Sequence, residues 1–168
     1  EAATVTNNEF TDCPTAIHYE ELATPASPSL ISENTIQGAT NGIRIVTASP
    51  TISGNTFYDC TSYPVVQTDG GSPVYTGNTV TDSGYAAIAL NGSISDDWIL
   101  GDWEWPYVID SNLVVQVGAT LTIEAGVVIK LESEQGLFVD GDLDLQGTSG
   151  NEVVFTSWRD DSYGGDSN

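Results

Sequence analysis

Reactive side chains are unevenly distributed in this chain: 24 Asp and Glu carboxylates stand against 3 Lys and Arg, with one histidine and two cysteines. Paired carboxylates can work as acid and base in glycoside hydrolysis. Adjacent pairs occur at Asp96-Asp97 and Asp160-Asp161, both in segments that read as loops. Clustered acids can also hold a hard cation through oxygen ligands. Asp160, Asp161 and Asp166 are such a calcium candidate, and Asp96, Asp97, Asp102 and Glu104 lie around an aromatic cluster, though without a recognised loop spacing. Cys13, Cys60 and His18 are too few and too scattered for a tetrahedral metal set. No serine elbow and no phosphate loop is found. Three of the four tryptophans, Trp98, Trp103 and Trp105, fall within eight residues. Flat indoles either cover an open end of a core or stack on sugar rings, and the size of the ring favours the cover. The formal charge of -21 repels nucleic acid and anionic membranes and attracts cations.

The elements that must position these groups are announced by a repeat. Thr6-Asn7-Asn8, Ser32-Glu33-Asn34, Ser53-Gly54-Asn55 and Thr76-Gly77-Asn78 recur with the last asparagines 26, 21 and 23 residues apart. A unit this short cannot bury an apolar face alone, so it is one turn of a coil. Its alternation has period two, so the coil is made of strands. Ser27-Pro28, Ser49-Pro50 and Ser72-Pro73 open successive turns, with Ala2-Ala3 in the first. Apolar alternation follows each asparagine, as in Ile17 and Tyr19, or Ile43 and Ile45 around an outward Arg44. Asn8, Asn34, Asn55 and Asn78 are expected to stack as a structural ladder at one corner, because the Asn side chain satisfies nearby backbone groups and tolerates left-handed geometry. Cys13 and Cys60 fall five residues after a ladder asparagine, where Ala39 and Ser83 stand in the other turns. Two turns separate the thiols by about 9–10 Å, beyond the reach of about 7 Å that a disulfide allows. Two free, buried thiols are expected.

The repeat covers residues 1–92, and residues 93–112 read as a Trp-rich insertion or plug. A second set of rungs occupies 113–168, ending in an acidic loop. There, Thr120-Leu121-Thr122-Ile123 is echoed 22 residues later by Asp142-Leu143-Asp144-Leu145, with the leucines and isoleucine inward. Asp140, Asp142 and Asp144 then form an acidic stripe on the outer face. The fold class is all-β, a right-handed parallel β-helix of about seven to eight turns. Composition rich in Thr, Ser, Asn and Gly, no apolar run of membrane-spanning length, and no methionine point to an extracellular or cell-surface location and to a processed product or a window of something longer. Asn91-Gly92-Ser93 is a sequon, and equally a turn signal.

Gly118-Ala119-Thr120-Leu121-Thr122-Ile123-Glu124-Ala125-Gly126-Val127-Val128-Ile129-Lys130 follows Pro106-Tyr107-Val108. With the later Phe155-Thr156-Ser157 and Arg159-Asp160-Asp161, this wording resembles the secreted right-handed parallel β-helix repeat proteins of prokaryotes, in the pectate-lyase-like superfamily. Pro-Tyr and Thr-Leu-Thr-Ile rungs usually open a module in that family, and here they come second. The resemblance implies the fold and leaves activity open among lyases, hydrolases, adhesins and surface proteins. The lyases abstract a proton with Arg or Lys beside carboxylate-bound calcium. Here the cations are only Arg44, Lys130 and Arg159, with no two neighbouring in the expected register. A non-enzymatic role is therefore expected: a structural subunit of a head-to-tail filament, or a segment of a long surface fibre. It requires no cofactor, although calcium remains compatible with it. The expected partner is a second copy or a continuing chain, with Val153 and Phe155 stacking on Val5 and Phe10 of a neighbour. The alternative is a carbohydrate-binding or adhesive module using Trp98, Trp103 and Trp105.

Overall fold

A computed structural model describes residues 2–21 and 27–167. Each early turn carries three short strands. The first has β1 (Thr4–Thr6), β2 (Glu9–Thr11) and β3 (Thr15–Glu20), and the second has β4 (Leu30–Ser32), β5 (Thr35–Gln37) and β6 (Asn41–Val46). The third has β7 (Thr51–Ser53), β8 (Thr56–Tyr58) and β9 (Val65–Thr68), and the fourth β10 (Val74–Thr76), β11 (Thr79–Thr81) and β12 (Ile88–Ile94). The later turns are built from β13 (Trp98–Leu100), β14 (Tyr107–Val115), β15 (Thr120–Ile123), β16 (Val128–Leu131), β17 (Leu137–Val139), β18 (Asp142–Leu145) and β19 (Val154–Ser157).

Corresponding strands stack in parallel, so the molecule is an all-β parallel solenoid. The longest stack runs β3-β6-β9-β12-β14-β16-β19, which makes six steps from first turn to last. Two four-stranded sheets, β1-β4-β7-β10 and β2-β5-β8-β11, complete a three-sided cross-section for the first four turns. Both sheets end there, and β13-β15-β18 forms the opposing wall of the rest.

Register explains the core. Ile17, Ile43, Val65, Ile88, Tyr107, Ile129 and Phe155 form one inward column along the main sheet. Leu121 pairs with Leu143 and Ile123 with Leu145, while Thr120 and Thr122 pair with Asp142 and Asp144, as the 22-residue echo predicts. The asparagine spacings carry over to the strand starts: Leu30 N bonds Ala3 O, Thr51 N bonds Ser29 O and Val74 N bonds Pro50 O. Ser29, not Pro28, therefore stands with Pro50 and Pro73, so the Ser27-Pro28 pair is one residue out of line with the other two.

Residues 93–112, read from the sequence as an insertion or plug, combine two structures. β13 and the start of β14 stack as strands, with β14 paired to both β12 and β16. Between them, the loop carrying Trp103 and Trp105 packs edge-on against Tyr75 and Phe57, at centroid distances of 6.0 and 5.9 Å. These rings fill the space where the cross-section narrows. β14 itself is interrupted: Leu90 pairs with Ile109 but Gly92 with Leu113, so Asp110–Asn112 bulge outward.

Cys13, Ala39, Cys60 and Ser83 do form one column, through Thr40 N to Cys13 O, Thr61 N to Ala39 O and Gly84 N to Cys60 O. Both thiols are free. Cys60 is buried, whereas Cys13 is half-buried, because the first turn has no neighbour among the described residues to cover it.

Candidate functional site

The asparagine corner is a continuous polar ladder. Asn8 Nδ2 donates to Asn34 Oδ1 (3.1 Å), Asn34 Nδ2 to Asn55 Oδ1 (2.9 Å) and Asn55 Nδ2 to Asn78 Oδ1 (3.0 Å). The backbone N–H of Asn8, Asn34 and Asn55 donates to the same three oxygens. The second amide hydrogen of Asn34, Asn55 and Asn78 reaches Val5 O, Ile31 O and Ile52 O at 2.9 Å each. Asn34, Asn55 and Asn78 are buried, so the amides hold the chain together and offer nothing to a ligand. The left-handed residue is not the ladder asparagine but the one before it: Asn7, Glu33, Gly54 and Gly77 have φ of 58, 54, 63 and 62°. That corrects the conformational half of the sequence argument, while the hydrogen-bonding half describes the corner.

The ladder ends at a side chain. Gly54 N donates to Thr76 O of the next turn, but Gly77 N has no following strand and donates instead to Glu104 Oε1 at 2.6 Å. Glu104 thus substitutes for a missing carbonyl.

The three clustered tryptophans do not form a platform. Trp98 is an inward residue of β13 with no exposed surface, and among the described residues its Nε1 finds no acceptor. It can present no face to a sugar ring, which removes it from the proposed carbohydrate site. Trp103 and Trp105 are half-buried against the core. Trp103 lines an open groove of about 620 Å³ with Val74, Tyr75, Thr76, Asp102 and Glu104.

The outer face of the main sheet gathers polar groups that single-sequence reading did not. His18, Arg44, Val66, Ala89, Val108, Lys130 and Thr156 form one outward column. Arg44 and Lys130 share it, but four steps of about 4.8 Å separate them. A second cluster covers the middle of this face: Val66, Ala87, Ala89 and Val108 lie beneath Tyr63, Tyr85 and Trp158. At its margin, Thr68 Oγ1 donates to Asn91 Oδ1, and Asn91 Nδ2 donates to Asp110 Oδ1, both at 2.9 Å. Tyr63 OH donates to Glu132 Oε1 at 2.7 Å. Burial pushes the Asp110 carboxyl above its ordinary value, and the Glu132 charge adds to the rise. Burial and the Glu132 carboxylate likewise push the Tyr63 phenol well up. The signal in the sequence was the 22-residue interval between Asp110 and Glu132, which equals the second repeat.

The C-terminal segment folds back on this face. Trp158 packs edge-on against Tyr85 at 6.4 Å, and the Arg159 guanidinium lies 5.4 Å from the Trp158 ring centre. Lys130, fully buried, donates through Nζ to Gly165 O. Burial lowers the Lys130 value, with Asp161, Asp160 and Asp166 pulling it the other way. The three aspartates offered as calcium ligands thus lie near enough to this ammonium to favour its charged form. Asp160 also accepts Thr156 Oγ1 and Ser162 N, which hold its carboxyl below the usual range. Among the described residues no three His, Cys, Asp or Glu side chains are grouped to hold a metal ion.

Val5, Phe10, Val153 and Phe155, expected to meet in stacking, belong to different walls. Val5 is on β1, Phe10 on β2 and Phe155 on β19 of the main sheet. In register, the residue that continues the Phe155 column is Ile17. The last turns are open: Leu143, Leu145 and Phe155 occupy inward positions yet are 38%, 48% and 40% exposed.

Comparison with known proteins agrees with this architecture. The family model described as right handed beta helix region matches residues 1–98. The chain is 35% identical over 79 residues to Protein bark beetle of Drosophila melanogaster, a match that spans 47% of this chain and 2% of that protein. No solved structure matches. The stacked turns of the first half fall inside the matched span, and the same main sheet runs unbroken through the second. The chain belongs to the right-handed β-helix family.

Proposed function

We propose that this chain is a non-catalytic extracellular β-solenoid, a rigid segment of a fibre or stalk whose open last turn is completed by another rung. The observation that carries it is the exposure of Leu143, Leu145 and Phe155 at inward positions beside the unpaired edges of β18 and β19. An edge of this kind templates a further strand. Heterologous stacking of one copy on the next produces an open filament. In such stacking Ile17, which starts the column that Phe155 ends, would sit over Phe155 rather than Val5 or Phe10. The match to a small part of a far longer protein supports the idea of a segment within a long assembly. The wording of residues 106–108, 118–130, 155–157 and 159–161 supports kinship with secreted prokaryotic β-helix proteins.

The chemistry of the outer face supports the non-catalytic reading. Arg44 neighbours His18 and Val66 across the sheet, with no carboxylate beside it in its column. Asp110 and Glu132 are engaged by Asn91 and Tyr63, which anchor the aromatic cover. Calcium at Asp160, Asp161 and Asp166 would have to compete with the Lys130 ammonium. The carbohydrate alternative keeps only Trp103 and Trp105.

Sedimentation and negative-stain microscopy test the proposal. The wild-type protein should associate into linear particles as concentration rises, and Phe155→Lys and Leu145→Lys should each hold it as a folded monomer. A wild-type protein that stays monomeric at millimolar concentration overturns it.

A further inference from the structure

Each outward residue of the main sheet has a neighbour on either side, except at the two ends. His18 opens its outward column and Thr156 closes it. His18 is exposed and is the single histidine of the chain. Thr156 carries a partner of its own, because its Oγ1 donates to Asp160 Oδ2 at 2.6 Å. Asp160 stands in the turn that leaves β19, where its N–H donates to Ser157 O, and it is half-exposed. The chain then runs back toward the earlier turns, where Gly165 O meets Lys130 Nζ and Gly164 lies against Pro106. The edge of β19 is left with one strand neighbour, β16. Thr156 and Ser162 hold the Asp160 carboxyl below the usual range, so it stays charged wherever an imidazole titrates.

We propose that His18 of one copy pairs with Asp160 of the copy beneath it wherever two copies stack, which makes association acid-favoured. The inference rests on the stacked reading above. The register that sets Ile17 over Phe155 also sets His18 over Thr156, one strand spacing of about 4.8 Å away. The carboxylate bonded to that threonine is then within reach of the imidazole. Arg44, in the next turn of the same column, and Glu20, two residues along β3, face His18 whether or not the copies are stacked. The copy beneath adds Asp160, with Asp161, Asp166 and Arg159 further off and Lys130 two strand spacings away. The Arg159 guanidinium is turned onto the Trp158 ring, and the Lys130 ammonium is held by Gly165 O. Asp160 is therefore the nearest charge gained on stacking. A histidine that gains a carboxylate on association binds its proton more tightly in the associated state. Its contribution is complete at low pH and is lost as pH rises through the associated-state value. Each copy carries a formal charge of -21, so a proton taken up at the junction also relieves repulsion.

The test is sedimentation of the whole chain at about pH 5.5 and about pH 8, on either side of histidine titration, at one ionic strength. Wild type should associate about 2- to 5-fold more tightly at the lower pH, the scale of an exposed ion pair. His18→Gln and Asp160→Asn should each flatten that dependence while still forming linear particles. The Asn variant keeps an acceptor for Thr156 Oγ1, so the turn after β19 is preserved. Glu20→Gln, which leaves the pair intact, should keep the wild-type dependence. Association equally tight at both pH values overturns the pairing and leaves the filament reading standing, as does a His18→Gln or Asp160→Asn protein that keeps the wild-type dependence. Absence of association at either pH overturns the filament reading, and the pairing with it.

Discussion

The asparagine ladder makes a graded prediction. Asn55 has no exposed surface. It accepts from Asn34 N and Asn34 Nδ2 and donates to Ile31 O and Asn78 Oδ1. Asn55→Ala takes a bond from three buried groups, Asn34 N, Asn34 Nδ2 and Ile31 O, while Asn78 Oδ1 keeps the Asn55 N–H. A buried polar group that loses its partner costs about 1–3 kcal/mol, so three at the low end give about 3–4.5 kcal/mol as an upper figure, since Asn34 Nδ2 keeps Val5 O. Asn78→Ala takes a bond from the equivalent three, Asn55 N, Asn55 Nδ2 and Ile52 O, for a similar cost on the same scale. Asn8 is exposed, and Asn34 Oδ1 keeps the Asn8 N–H after truncation. Asn8→Ala should therefore cost about 1 kcal/mol or less. Urea unfolding followed by circular dichroism reads the series. Domains of this size are stable by about 5–15 kcal/mol, so at the lower limit the Asn55 variant sits near the edge of folding. Should it fail to fold, Asn8→Ala and Asn78→Ala still define the gradient. Equal costs at the exposed end and the buried end would refute the argument, since they would mean that orphaned partners do not set the penalty.

Two other substitutions follow from the core and the outer face. Asp110 has a folded value raised by burial, so between its unfolded and folded values the native state alone keeps the proton. Its contribution therefore falls as pH rises through that window, and Asp110→Asn should melt higher than wild type at pH 7 and alike below the unfolded value; a lower melting temperature at pH 7 would contradict this. Trp98→Phe removes a buried indole N–H that finds no acceptor among the described residues, and should cost about 1.5 kcal/mol or less, against about 3–5 kcal/mol for Trp98→Ala. A Phe variant as damaged as the Ala variant would show that the indole nitrogen is paired in solution.

The parts of the fold legible in the sequence are those fixed by one period. Asn34, Asn55 and Asn78 announce the turn, and the alternation of Leu143 and Leu145 with Asp142 and Asp144 announces which side faces in. Both signals are local, and stacking simply repeats them. The sequence did not separate Trp98 from Trp103 and Trp105. All three are large aromatics in one segment, but the pleat of β13 turns Trp98 inward, while the other two lie in a loop that fills a step in the cross-section. Burial there depends on sheets ending, which no residue in 93–112 encodes by itself. The joint role of Asp110 and Glu132 was hidden for a related reason. They fall at the end of the β14–β16 register, where Ile109 pairs with Leu131, next to a bulge that the hydrophobic pattern does not mark.

The stacking contact shows most directly where periodicity stops being informative. Within a turn, Val5, Phe10 and Ile17 are equivalent by pattern: each is an inward apolar residue in an alternating stretch. They differ in which wall they join, and that is set by the corners. The left-handed positions Asn7 and Asp12 turn the chain between β1 and β2 and between β2 and β3. Counting corners places Ile17 in the column that Phe155 ends. The cross-section adds a second constraint, because the first turn has three walls and the last has the main sheet and one facing wall. A copy stacked on β18 and β19 can continue the main sheet through β3, and the facing wall through β1. Its β2 would then begin a wall with nothing beneath it. Phe10 would lie over that gap, the same position that Trp105 fills where the β2-β5-β8-β11 wall ends inside the chain. A filament of this chain therefore needs Ile17 and Val5 at each junction and can spare Phe10. Ile17→Lys should abolish association in the sedimentation assay, whereas Phe10→Ser should preserve it; the reverse order would show that the walls join in a different register.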